Sequence, residues 1–207
     1  MFKIGALVSG GGTNLQAILD AVELGKINGE VVSVVSNKKD AFALERAKKH
    51  NVEAVYMSRK LFKSFDEYED ALISHFKSRN VDLIILAGFM VILSAKFAEA
   101  FKNKIMNIHP SLIPSFCGKG FYGLKVHEAV LEKGVKLTGA TVHFVDSTAD
   151  TGPIILQKAV EVKDGDTPEI LQKRVMEEAE WIIFPEAVRL FAEGKIVIDN
   201  NIVRRVD

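Results

Sequence analysis

Cysteine is almost missing from this chain: Cys117 is the single one in 207 residues. No intrachain disulfide can form, and nothing in the cysteine usage points to an oxidising compartment. An excess of charge is missing too. Lys plus Arg and Asp plus Glu both number 27, so the formal net charge is zero. That excludes the broad basic field through which nucleic-acid binders work, and no nucleic acid is expected as a partner. No apolar run approaches the ~20 residues that a bilayer-spanning helix needs, so no membrane partner is expected either. Repeats, low-complexity tracts and linkers are absent. The first residues lack a cleavage-type pattern and read as a strand rather than a signal peptide. These absences leave a cytoplasmic enzyme of small molecules, a monomer or homodimer, as the default expectation.

What is present fits that frame. Hydrophobic residues make up 48% and charged residues 26%, the balance of a globular chain with a sizeable core. The length suits one domain, read here as residues 1–207 with two halves, 1–100 and 101–207. Residues 2–9 are nearly all apolar, as in a parallel strand buried on both faces. Ser9-Gly10-Gly11-Gly12-Thr13-Asn14 follows, and then Leu15, Ile18, Leu19 and Val22 at helical spacing. Glycines let the backbone bend and present N–H groups, while the new helix adds its positive end. Thr13 or Asn14 can cap that helix and donate to a phosphate oxygen. No Gly-Lys-Ser/Thr follows, so this is not a Walker A loop. Leu15 stands where a dinucleotide fingerprint has its third glycine. A phosphate monoester is the better match, with a ligand-free tight turn as the other reading.

Further strands are expected over 31–36, 52–57, 81–87, 105–108, 137–145 and 154–162, with helices between most of them. The fold class is α/β: a doubly wound, mostly parallel sheet with an antiparallel addition in the second half. His50 and His75 fall in charged helices and read as plain surface residues. The apolar run Met90-Val91-Ile92-Leu93 follows the most apolar strand, where such sheets bind ligands. It can receive a flat ring or be simple core. A helix over 166–194 starts at Thr167-Pro168 and bends at Pro185, and a terminal hairpin turns at Asn200-Asn201.

The densest chemistry lies in Asn107-Ile108-His109-Pro110-Ser111. Asn107 and His109 are two apart on an extended lead-in, so they share a face. An amide beside a titratable imidazole suits acyl-type transfer, in which an oxyanion is stabilised and a proton moves. The plainer reading is a strand end with a hydrogen-bonded histidine. His143 and Asp150 complete the candidates, and a carboxylate at His109 is expected to raise the imidazole pKa. Zinc is the rival for His109, Cys117, His127 and Asp150, but the spacing is irregular and no metal is expected. Cys117 has no evident local partner as a nucleophile.

Taken together, Ser9-Gly10-Gly11-Gly12-Thr13-Asn14-Leu15-Gln16, Ser36-Asn37-Lys38, Leu86-Ala87-Gly88-Phe89-Met90, Asn107-Ile108-His109-Pro110-Ser111-Leu112-Ile113-Pro114 and Val142-His143-Phe144-Val145 closely resemble the phosphoribosylglycinamide formyltransferase family, over essentially the whole chain. The resemblance implies formyl transfer from 10-formyltetrahydrofolate, as cosubstrate, to the amine of phosphoribosylglycinamide in purine biosynthesis. It implies that Gly12, Thr13 and Asn14 hold the phosphate and Glu180 the ribose. It makes Asn107, His109 and Asp150 the catalytic groups. Met90, Val91, Ile92, Leu93 and Asn107 would contact the folate, with residues 146–150 also lining the pterin pocket. The first half would then bind phosphate, and the second would carry catalysis and folate binding. The sequence departs from the pattern at three places. Val91 stands where arginine is frequent, the 117–124 segment is longer, and Glu180-Trp181 replaces Glu-His one residue further from Arg174. The alternatives are another folate-dependent formyltransferase, a formyltetrahydrofolate hydrolase, or a non-catalytic phosphate-sugar or folate sensor on the same fold.

Overall fold

The computed structural model describes residues 1–206. Seven strands form one mostly parallel sheet: β1 (Phe2–Val8), β2 (Gly29–Ser36), β3 (Glu53–Tyr56), β4 (Leu83–Ala87), β5 (Ile105–His109), β6 (Leu137–Phe144) and β7 (Ile154–Glu161), in the order β3-β2-β1-β4-β5-β6-β7. A separate hairpin pairs β8 (Ile196–Asp199) with β9 (Ile202–Arg205). Among the described residues no helix is long and apolar enough to cross a membrane. Packing divides the chain into two compact units, Met1–Met106 and a second that begins at Asn107.

In the first unit, β1 pairs in parallel with β2 and β4, and β2 with β3. Ile4, Ala6, Leu7 and Val8 are wholly buried, which is why this strand is a continuous apolar run rather than an alternating one. Gly5 is required by close approach. A Cβ there would lie 2.6 Å from two ring atoms of Phe76, on the helix α3 (Phe65–Ser78). The helices α1 (Thr13–Glu23) and α2 (Phe42–Lys49) follow β1 and β2, and the short α4 (Ala95–Ala100) precedes β5. Two surface assignments need correction. The Nε2 of His75 lies 2.8 Å from Ser33 Oγ, and its side chain is 9% exposed. Burial, and secondarily the Arg79 charge, lower its pKa. His50 is hydrogen-bonded to Gln16 at 3.0 Å rather than freely solvated.

In the second unit, α5 (Leu124–Lys133) precedes β6, and β6 and β7 pair antiparallel with a register shift between Val142 and His143. The expected helix over 166–194 exists but is built in three pieces: α6 (Pro168–Val175), a π-helical turn (Met176–Glu180) and α7 (Trp181–Ala192). Its start is as expected: Thr167 Oγ1 accepts the Ile170 N–H at 3.3 Å, with Pro168 at the first position. The irregularity is not at Pro185, which sits inside α7. A π turn is the form a single extra residue takes in an α-helix. It falls in the interval from Arg174 to Glu180, where the resemblance implies a spacing one residue too long. The terminal hairpin turns at Asn200 and Asn201, both at positive φ (48° and 64°), as a two-residue turn demands.

Candidate active site

β5 carries its apolar residues Ile105, Met106 and Ile108 into the core, and Pro110 ends the ladder because it has no N–H to give. Asn107 and His109 consequently stand on one face at the strand's end. The register shift at His143 is a bulge of the kind that re-aims a side chain. The amide nitrogen of Asn107 donates to His143 Nε2 at 3.2 Å. His143 Nδ1 donates to the Phe144 carbonyl at 2.8 Å, which fixes the ring, since a carbonyl can only accept.

Asp150 sits in the loop between β6 and β7, in the left-handed region at φ 58°. One carboxylate oxygen lies 3.6 Å from His109 Nδ1, and the other lies 3.6 Å from His143 Nε2. The first also accepts the Gly118 N–H at 2.8 Å. Burial is the largest influence on this carboxyl and would raise its pKa. The His143 side chain, the His109 charge and the Gly118 N–H together outweigh it, so Asp150 titrates below the usual carboxylate value. Three of the expected residues are therefore brought together, with His143 as a fourth. His143 was a sequence candidate, but nothing in the linear pattern showed that it would touch both Asn107 and Asp150.

The expected effect of the carboxylate on His109 is present but does not set the net shift. Asp150 does favour the charged form of His109, but burial is stronger and takes the imidazole pKa below its ordinary value. His109 is 4% exposed, and this burial outweighs the Phe116 carbonyl and the Asp150 charge, which both favour the cation. At neutral pH it therefore acts chiefly as an uncharged donor. Its Nε2–H is spent on the Phe116 carbonyl at 2.9 Å, a backbone contact that no side-chain motif announces. Residues 111–118, irregular as expected, are pinned rather than loose. Thr141 Oγ1 donates to the Ser111 carbonyl at 2.7 Å and accepts the Ile113 N–H at 3.1 Å. Gln157 donates to the Ile113 carbonyl at 2.9 Å. Cys117 is no activated nucleophile: burial, then the Asp150 charge, push its thiol up.

The glycine loop belongs to the first unit. Gly12, in the left-handed region at φ 71°, is the residue that precedes and caps α1, so Thr13 is the first helical residue and neither Thr13 nor Asn14 is the cap. A Cβ at Gly12 would lie 2.6 Å from Ala43 Cβ and 2.9 Å from its Cα, so only glycine fits against α2. The loop borders a cleft of about 570 Å³ lined by Ser9, Gly10, Gly11, Lys38, Lys39 and Phe42 among others. Met90, Val91, Ile92 and Leu93 lie between β4 and α4. The Met90 N–H donates to Ser9 Oγ at 2.8 Å, which ties this apolar segment to the head of the glycine loop. Met90 and Ile92 are exposed rather than packed as core. In the second unit, Glu180 is buried at the end of the π turn. Among the described residues, the side chains close enough together to be able to share a metal ion are Asp20, Glu23 and His50. Asp20 and His50 are already joined by the Gln16 amide.

A sheet of this order, with an amide, two imidazoles and a carboxylate meeting beyond β5, defines a group-transfer enzyme of the formyl transferase kind, and residues 2–188 match the Formyl transferase family model, so the chain belongs to that family. Its relatives narrow the branch. The phosphoribosylglycinamide formyltransferase of Haemophilus influenzae is 41% identical over 202 residues, covering 98% of this chain and 92% of that protein. The crystal structure of glycinamide ribonucleotide transformylase 1 from Symbiobacterium toebii is 47% identical, with a TM-score of 0.94 over 100% of this chain and 95% of that one. A formyltetrahydrofolate deformylase from Burkholderia mallei is similar at 29% identity and a TM-score of 0.87, over 100% of this chain and 70% of that one.

Proposed function

We propose that this chain transfers the formyl group of 10-formyltetrahydrofolate to the amine of 5-phosphoribosylglycinamide, giving the N-formyl product and tetrahydrofolate, in purine biosynthesis. The observation that carries the reading is Asp150 set between His109 and His143, with the Asn107 amide on His143. The Asn107 amide and the His109 Nε2–H supply the donors that a formyl oxygen needs as it gains charge. For His109 to serve, the formyl oxygen takes the place of the Phe116 carbonyl on Nε2. Asp150, held ionised, supports positive charge on His109 as the oxyanion develops, and it is the group placed to accept the amine's proton directly or through water. The C–N bond to the amine forms as the C–N10 bond breaks, and the amine's proton ends on N10.

Gly12, Thr13 and Asn14 are assigned to the phosphate, and Glu180 to the ribose. Met90, Val91, Ile92, Leu93 and Asn107 are assigned to the folate, with residues 146–150 at the pterin. The chain then serves as a phosphate-binding first half and a catalytic, folate-binding second half of one domain. The four polar groups of the acid–base cluster come from one chain, so a monomer or a homodimer can work, and the expected setting is the cytoplasm. The Burkholderia relative supports one alternative, hydrolysis of formyltetrahydrofolate. The test is consumption of 10-formyltetrahydrofolate with and without phosphoribosylglycinamide. Formylated amine that depends on the acceptor, lost in His109→Ala, supports transfer. Equal folate consumption without the acceptor would identify a hydrolase, and ligand binding without turnover would identify a sensor.

A further inference from the structure

Three successive carbonyls of the glycine loop are occupied from known sides. The Ala43 N–H donates to Gly10 O at 3.1 Å, and the Gln16 N–H to Gly12 O at 2.9 Å. Between them, Arg46 Nε donates to Gly11 O at 2.8 Å. A trans peptide holds its C=O and the following N–H antiparallel. Fixing the Gly10 and Gly11 carbonyls toward α2 therefore turns the N–H groups of Gly11 and Gly12 away from it. The third bond begins α1. Successive N–H groups turned to one side are the arrangement that binds an anion.

We propose that Arg46 is a positioning residue for phosphate recognition: it aims the Gly12 N–H by holding the Gly11 carbonyl, rather than gripping the phosphate itself. A second guanidinium nitrogen is committed to a side chain. Nη1 donates to Gln16 Oε1 at 2.9 Å, and the guanidinium carbon lies 5.0 Å from the Phe42 ring centroid. Gln16 is anchored in turn on Asp20 at 2.7 Å. Two donors at a fixed angle, on a plane that stacks on an aromatic ring, are properties of arginine and not of lysine. Charge alone therefore does not reproduce the arrangement. The inference rests on the proposed phosphate role of the glycine loop.

The experiment compares wild type, Arg46→Lys and Arg46→Ala in formyl transfer, and in binding of inorganic phosphate followed by amide NMR. We expect KM for phosphoribosylglycinamide and the phosphate dissociation constant to rise about tenfold in Arg46→Lys, the scale of one misaimed charge-assisted hydrogen bond. The kcat, the folate KM and the rate with the dephosphorylated acceptor should stay within about twofold, a split that general loosening of the loop would not produce. Arg46→Lys keeps the charge, so it remains informative if Arg46→Ala does not fold. Unchanged phosphate affinity in Arg46→Lys, equal losses on phosphorylated and dephosphorylated acceptors, or no phosphate binding by wild type would overturn the inference. Wild type that binds phosphate but transfers no formyl group would contradict the proposed function, while the NMR comparison still decides the role of Arg46.

Discussion

The glycine loop and the β5 cluster recognise their targets in opposite ways. The loop is built from backbone: its carbonyls are tied off and its one left-handed residue, Gly12, is wedged against Ala43. Nothing at the loop's own positions 10–14 titrates. The cluster is built from side chains, two buried imidazoles and a carboxylate, and the Asp150 charge acts on His109. The first kind of site withstands pH but not an added methyl group at Gly12. The second tolerates small packing changes but not the loss of a proton carrier.

The sharpest way to break the symmetry of that contrast is His109→Ala. Turnover should fall by about 10²- to 10⁴-fold, the usual weight of a general acid–base group, while phosphate binding in an NMR titration stays as in wild type. Loss of phosphate affinity in that variant would mean that the two sites are not separable. The loop's counterpart is Gly12→Val. Positive φ and the clash with Ala43 should destabilise the fold by about 2 kcal/mol or more, read by urea denaturation. Gly11→Ala meets nothing within 4 Å and should leave stability unchanged. Equal stability of the two variants would show that Gly12 does not need its conformation.

Protonation should be felt in stability as well as rate. His127 on α5 is fully buried, and neither ring nitrogen has a hydrogen-bond partner among the described residues. Burial, and then the His109 charge, depress its pKa to about 4. The unfolded chain takes up a proton near pH 6.5, and the folded one does not until about pH 4. Stability should therefore be full above about 6.5 and decline as pH falls through that window, by up to ~3 kcal/mol from this residue. His127→Gln should flatten the decline in Tm between those limits, and an unchanged slope would assign the effect elsewhere. The smallest expected effect is that of Thr141→Val, which removes the hydroxyl joining Ser111 and Ile113. A loss of about 1 kcal/mol should appear as faster hydrogen exchange at Gly118.

Much of this was legible in the chain, for reasons that differ by region. The apolar β1 run and the Asn200-Asn201 turn follow from local chemistry, and the structure has both. The face shared by Asn107 and His109 needed only the two-residue period of a strand. Contacts made by backbone were not legible: the Phe116 carbonyl on His109 and the Gly118 N–H on Asp150 leave no mark in residue type. Nor was the sign of the His109 shift, because burial is a property of everything packed around it. The π turn before Trp181 was visible only as a spacing one residue too long, and Pro185 drew attention from it. His75 looked solvated because its sequence neighbours are charged, yet Ser33 on β2 receives it.

The central claim is that Asp150 governs His109 by charge. The most direct test is the pH–rate profile of formyl transfer by Asp150→Asn beside wild type. Removing the carboxylate removes one of the two influences that raise the His109 pKa, the Phe116 carbonyl being the other, so the acid limb set by His109 should move to lower pH while the plateau rate drops by orders of magnitude. Superimposable profiles with equal plateaus would contradict the account.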